Sequence, residues 1–142
     1  MHMKILLVDE NKAISFLIKT LLEKEYETCH VQDSYFAIKE LRADTTFELI
    51  IISLDSKYDE NFQLLKHVKS SSLLKNMPVL VLAKQNDANL ENECAELGIA
   101  AYIEKPFDPL IFLQKIREIL LTKQKNELNK KRIKIFNLSF YF

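Results

Sequence analysis

Phe47-Glu48-Leu49-Ile50-Ile51-Ile52-Ser53-Leu54, at residues 47–54, decides how this chain is read. Four consecutive aliphatic residues at 49–52, after a run broken only by Glu48, make a strand with no polar face, as expected of a strand buried on both sides. It stops at a serine. Two other short runs stop at charge. Ile5-Leu6-Leu7-Val8 ends at Asp9-Glu10, and the run at 100–103 is followed by Lys105-Pro106. A fourth run, Val79-Leu80-Val81-Leu82, opens after Pro78 and ends at Ala83.

Between these runs the hydrophobic period lengthens to three and four residues. Ile14, Leu17, Ile18, Leu21 and Leu22 predict an amphipathic helix ending near Glu25. Residues 26–31 alternate weakly and predict a more exposed strand. Phe36, Ile38 and Leu41 predict a helix from about Ser34, capped by Asp33 or Ser34. Phe62, Leu64, Leu65 and Val68 predict a third helix. Leu90, Cys94, Ala95 and Leu97 predict a fourth, closed by Gly98, the only glycine in the chain, as a left-handed C′ residue. Asp108-Pro109 opens the last helix, with Leu110, Leu113, Ile116, Ile119 and Leu120 on one face. Strand and helix alternate five times. That pattern is a (βα)5 doubly wound α/β domain, a five-stranded parallel sheet with helices on both faces. In such sheets the working site lies at the carboxyl ends of the strands, so Asp9, Ser53, Ala83 and Lys105 should converge.

Length and composition suit one soluble domain: 142 residues, 48% hydrophobic and 28% charged. The formal net charge is zero, which gives no general reason to expect nucleic acid or an anionic membrane as partner. No apolar run approaches the roughly 18 residues of a membrane span. Cys29 and Cys94 have no metal-ligand spacing and read as buried reduced thiols of a cytoplasmic protein. His2, His30 and His67 are scattered and read as surface or structural residues. With Gly98 alone, no glycine-rich loop exists to cradle a nucleotide. Residues 1–122 read as the domain. Residues 123–142 read as a tail, basic and then aromatic, that extends the last helix, docks on a partner or frays.

The pieces KILLVDEN at 4–11, ELIIISL at 48–54, PVLVLA at 78–83 and YIEKPF at 102–107 resemble the receiver domain of bacterial two-component response regulators, over about residues 3–122. The resemblance implies a flavodoxin-like receiver fold and a signalling module rather than an enzyme. In that family an aspartate at the end of the third strand accepts a phosphoryl group beside a magnesium ion. By resemblance Asp9 and Glu10 are the metal-side acids, and Asp55 stands where a backbone carbonyl reaches the metal. Lys105 is the phosphate-side cation, and Pro106 follows a cis peptide. Ser53 holds the acceptor position, with neither the charge nor the unaided nucleophilicity of a carboxylate. Ala83 stands where a phosphate-side hydroxyl is expected, and Tyr102 holds the switch aromatic's position without that hydroxyl. Lys57 stands where a proline is common and Asn61 where glycine is. The resemblance therefore implies an atypical receiver in a phosphorelay, working by protein contact, with a weakened Mg2+ site. Its expected partners are a sensor kinase or a second copy through residues 88–120, with no nucleic acid and no membrane. Two readings of the charged groups stay open: Asp9 and Glu10 hold a divalent metal, or Lys105 reaches Asp9 directly. The alternative is a receiver that still accepts a phosphoryl group on a substitute carboxylate such as Asp55, although a register shift that makes Asp55 the acceptor breaks the spacing to Phe62 and Lys105.

Overall fold

The computed structural model describes residues 2–139. Its elements alternate as the sequence pattern predicts: β1 (Met3–Val8), α1 (Lys12–Leu22), β2 (Tyr26–Val31), α2 (Ser34–Ala43), β3 (Phe47–Leu54), α3 (Glu60–Ser70), β4 (Val79–Ala83), α4 (Ala88–Glu96), β5 (Ala101–Glu104) and α5 (Pro109–Ser139). The strands form one parallel sheet in the order β2-β1-β3-β4-β5. The chain order reverses between β1 and β3, and a doubly wound sheet opens its crevice at such a switch point.

The apolar runs are continuous because both sheet faces are covered. Leu6, Val8, Ile50, Ile52, Leu54, Val79 and Val81 pack with residues of α2, α3 and α4. Their alternating neighbours Ile5, Leu7, Leu49, Ile51, Leu80 and Leu82 pack with α1 and α5. Strand side chains alternate between faces, so a polar residue in these runs would be buried on one layer or the other. In the central strand β3, Glu48 lies at the opposite end, and Ser53 is the one polar residue near the carboxyl edge.

Each helix starts at that edge on an Asn or Asp that takes up an otherwise unpaired backbone N–H. Asn11, Asp33, Asp59 and Asp87 cap α1 to α4, and the Asp108 carboxylate accepts from Leu110 N and Ile111 N. Gly98 follows the α4 C-cap at φ 81°, the left-handed geometry expected of it. Asn86, at φ 64°, precedes the α4 cap; asparagine is among the few side-chain-bearing residues that visit this region readily.

Several sequence expectations are corrected. Helix α1 ends at Leu22, before Glu25. In α2 the buried residues are Ala37 and Leu41, while Phe36 is exposed and stacks edge-on with Tyr35. In α5 Leu110 is exposed, and Phe112, absent from the expected face, is fully buried and packs on Phe107 with ring centroids 4.7 Å apart. Both cysteines are free, but only Cys94 is buried; Cys29 is half-buried. Helix α5 runs on beyond Thr122, which is one of the three forms left open for the tail. Its backbone continues to Ser139, so the extension is the form the tail takes as far as the structure describes it. The aromatic end at 140–142 lies outside the described residues.

Candidate functional site

The register places the expected residues side by side. Val8 pairs with Ile52, so Asp9 and Ser53 emerge from adjacent strands; Ser53 lies opposite Leu82, and Ala83 opposite Glu104. The strand ends surround a cavity of about 470 Å³ whose wall includes Asp9, Glu10, Ser53, Asp55, Lys84 and Lys105. Asp33, Asp59 and Glu60 add three more carboxylates to its rim.

Asp9 is the most enclosed of these acids, 2% exposed. Its backbone is fixed on every side. Asp9 N donates to Val31 O, while its carbonyl accepts from His30 Nε2 at 2.8 Å and from Ser15 Oγ at 3.4 Å. Oδ1 accepts from Asn11 N at 2.9 Å. Oδ2 is buried and has no hydrogen-bond partner among the described residues. The cation facing it is Lys105, with Nζ 3.9 Å away. That ammonium donates to Ser53 Oγ, and Lys105 N donates to Ala83 O at 2.8 Å. One lysine, itself largely buried, thus bridges β1, β3 and β4. The Lys105–Pro106 peptide is cis, as expected.

Ser53 is held from behind as well. Asn61 Nδ2, at the start of α3, donates to Ser53 O at 3.0 Å, and Asn61 is only 8% exposed. A glycine there supplies no such donor. The Asp59 carboxylate is occupied in capping, accepting from Asn61 N and from Asp55 N. Asp55 is half-exposed, with its carboxylate 3.9 Å from Lys84 Nζ.

The structure does not gather Asp9, Glu10 and Asp55 into a ligand cluster. Among the described residues no group of three or more His, Cys, Asp or Glu side chains is placed to hold a metal ion. The physical reasons are visible in the wall. Glu10 is exposed, Asp55 faces Lys84, and the buried oxygen of Asp9 faces an ammonium. A small hard cation needs several oxygen ligands in near-octahedral array. Here the central strand offers a neutral hydroxyl already bonded to a lysine. This donor set leaves Mg2+ at most the weakened site that the resemblance implies.

Ala83 ends β4, at the strand's carboxyl end as expected, but it brings no hydroxyl there. It is buried in the layer facing α2, α3 and α4 rather than in the cavity wall. Tyr102 packs, half-buried, against that same layer. Its hydroxyl is buried without a hydrogen-bond partner among the described residues. Burial first, then the neighbouring Cys94, Asp87, Glu91 and Glu104, pushes the phenol up to about 12. The Cys94 thiol is pushed up to about 11, again chiefly by burial.

Three contacts were not foreseen from sequence: the Lys105–Ser53 bond, the Asn61 clamp and His30 beneath Asp9. The position of Asn61, eight residues after Ser53, was the one available signal.

The comparisons with known proteins agree with this fold. The response regulator receiver domain pattern matches residues 5–117. The chain is 28% identical over 119 residues to the chemotaxis protein CheY of Pseudomonas aeruginosa, covering 82% of this chain and 95% of that protein. It is 27% identical over 106 residues to the two-component response regulator ORR5 of Oryza sativa, covering 74% and 79%. Among solved structures, a CheY-like receiver domain protein from Methanospirillum hungatei superposes with a TM-score of 0.79 at 24% identity, covering 89% of this chain and 99% of that one. Vibrio cholerae CheY4 superposes at 0.75 and 23% identity, covering 84% and 99%. The flavodoxin-like fold, the cavity at the strand ends and the matched span together place the chain in the response regulator receiver domain family of two-component signalling.

Proposed function

We propose that this receiver works by protein–protein contact, largely without aspartyl phosphorylation. The observation that carries the reading is the Lys105 ammonium bound to Ser53 Oγ and 3.9 Å from Asp9. Ser53 then stands at the position where the family accepts phosphate. A hydroxyl without an adjacent base is a weak nucleophile, and the group nearest to it is an ammonium, which is no base. Any Mg2+ bound at Asp9, Glu10 and Asp55 is held weakly. With no phosphoryl group to bias two conformations, a partner sets their balance through its differential affinity. The surface proposed for that partner, a sensor kinase or a second copy, is α4, β5 and the start of α5, residues 88–120.

A second reading keeps phosphoryl acceptance and moves it to Asp55. It is favoured by one observation: Asp55 lines the same cavity and has a lysine at phosphate-pairing distance, Lys84. Intact-mass measurement after incubation with a small phosphodonor and Mg2+ separates the two. The first reading expects no adduct on the natural chain and one phosphoryl group on Ser53→Asp. An adduct on the natural chain that Asp55→Asn removes establishes the second.

A further inference from the structure

The zero net charge conceals a separation of charge along the molecule. Six of the chain's 20 Lys and Arg, but one of its 20 Asp and Glu, lie within residues 122–134. Residues 1–121 are left with 14 basic against 19 acidic residues, and 135–142 carry no charge. The body therefore holds −5 and the α5 extension +5.

This extension has almost no packed face. Lys123 is half-buried, its ammonium 2.5 Å from Glu48 and 3.1 Å from Glu127. Every other residue of 122–134 is exposed, Leu128 and Ile133 included. Among the described residues, Lys125, Lys130, Lys131, Arg132 and Lys134 form no ion pair. A helix without a buried stripe is marginal in water, and like charges at i,i+4, as in Lys130 and Lys134, weaken it further. An anionic surface lying along the arm would remove both penalties.

The sequence after the lysines selects that surface. Ile135-Phe136-Asn137-Leu138-Ser139-Phe140-Tyr141-Phe142 holds six apolar residues in eight, four of them aromatic. The acidic body of a second copy would neutralise the lysines but has no need of an uncharged aromatic run beside them. Pairing of two arms is opposed. The positions three and four beyond Leu121 and Leu128 are Gln124, Lys125, Lys131 and Arg132, so a shared seam would set cation against cation. An anionic lipid surface takes both halves, headgroups against the lysines and aromatic rings at the headgroup level.

We propose that the basic arm of α5, with the aromatic run that follows it, is a peripheral attachment to anionic lipid, with the acidic body turned away from the membrane. No helix among the described residues is long and apolar enough to cross a bilayer. The attachment lies in the plane of the interface and needs both halves, charge and aromatic run. It revises the expectation of no membrane partner, which took the charge as a single sum. The inference stands independently of how Ser53 behaves.

Flotation of the full chain with phosphatidylcholine vesicles, with and without phosphatidylglycerol, tests it. Binding is expected only with phosphatidylglycerol, and is lost near 1 M salt, where the screening length is about 3 Å. Lys130→Gln/Lys131→Gln should lower partitioning about 25-fold, at about fivefold per cation. Phe140→Ser/Tyr141→Ser/Phe142→Ser should weaken binding at unchanged charge, with circular dichroism confirming that each variant is folded. Equal binding to both vesicles, or binding that neither variant changes, overturns the proposal. So does a salt-sensitive dimer in light scattering, or retention on duplex DNA, in place of vesicle binding.

Discussion

Lys105 and Ser53, 52 residues apart, are hydrogen-bonded side chain to side chain across the cavity floor, and the same ammonium is the only cation within 4.0 Å of the Asp9 carboxylate among the described residues. The lysine therefore compensates a carboxylate that is almost wholly enclosed. Removing it leaves the buried Asp9 Oδ2 with neither a hydrogen-bond partner nor a facing cation among the described residues. Lys105→Met should cost about 1–3 kcal/mol in urea unfolding. Asp9→Asn added to that variant should restore part of the loss. An unchanged midpoint in Lys105→Met would show that the pair contributes nothing.

Tyr102 invites the opposite experiment. Its hydroxyl is buried with no hydrogen-bond partner among the described residues, so it loses its hydration and receives nothing in return. Tyr102→Phe should raise stability by about 1 kcal/mol, read as a higher urea midpoint at constant slope. A destabilised variant would reveal that the hydroxyl is bonded in solution.

Phe112 and Leu110 are two residues apart on α5 and should differ sharply. Phe112 is 0% exposed and sits among Ile5, Leu49, Leu82 and Ile116, whereas Leu110 is 76% exposed. Phe112→Ala should cost about 3–5 kcal/mol, and Leu110→Ala less than about 0.5 kcal/mol. Similar losses at both sites would mean that the helix is rotated from the orientation described.

Acid stability should depend on Asp44. The Lys4 ammonium, then the Thr46 hydroxyl and amide, hold its carboxyl at about 2 against an ordinary 3.8. A carboxyl that is more acidic when folded adds stability in full above its unfolded value and loses it as pH falls through the folded one. That contribution is complete above pH 3.8 and fades toward about 2. Asp44→Asn should lower the melting temperature at neutral pH and reduce its fall across this window. Parallel melting curves for both proteins down to about pH 2 would remove Asp44 from the acid limb.

How far the sequence could be read follows from what kind of contact each feature needs. Strands β1, β3 and β4 were legible because a strand covered on both faces has to be apolar throughout, as Leu49 to Ile52 are, whereas β2 showed only a weak alternation. The cavity was legible because a parallel sheet brings all carboxyl ends to one edge, which collects Asp9, Ser53 and Lys105 wherever they fall in the chain. What could not be read was direction. Whether Lys105 turns to Ser53, or Asp55 toward Lys84, depends on side-chain torsions that no spacing encodes. Phe112 was missed for a related reason: α5 is apolar at 110, 111, 112 and 113, and four adjacent apolar residues leave the buried face undetermined. The helix beyond Thr122 stayed one of three open forms because a solvated basic helix has no hydrophobic period to announce it.

The strand order carries one more consequence. β3 is hydrogen-bonded on both sides, to β1 and β4, while β5 is an edge with a single neighbour. Amide hydrogens of β3 should therefore exchange with solvent only when much of the sheet opens, and those of β5 through smaller, more frequent openings. Ser53 sits in the slow part of that hierarchy, and Tyr102, on one of the two edge strands, in the fast part. The cavity floor is therefore expected to be the stiffer part of the sheet, and the β5 edge a softer one.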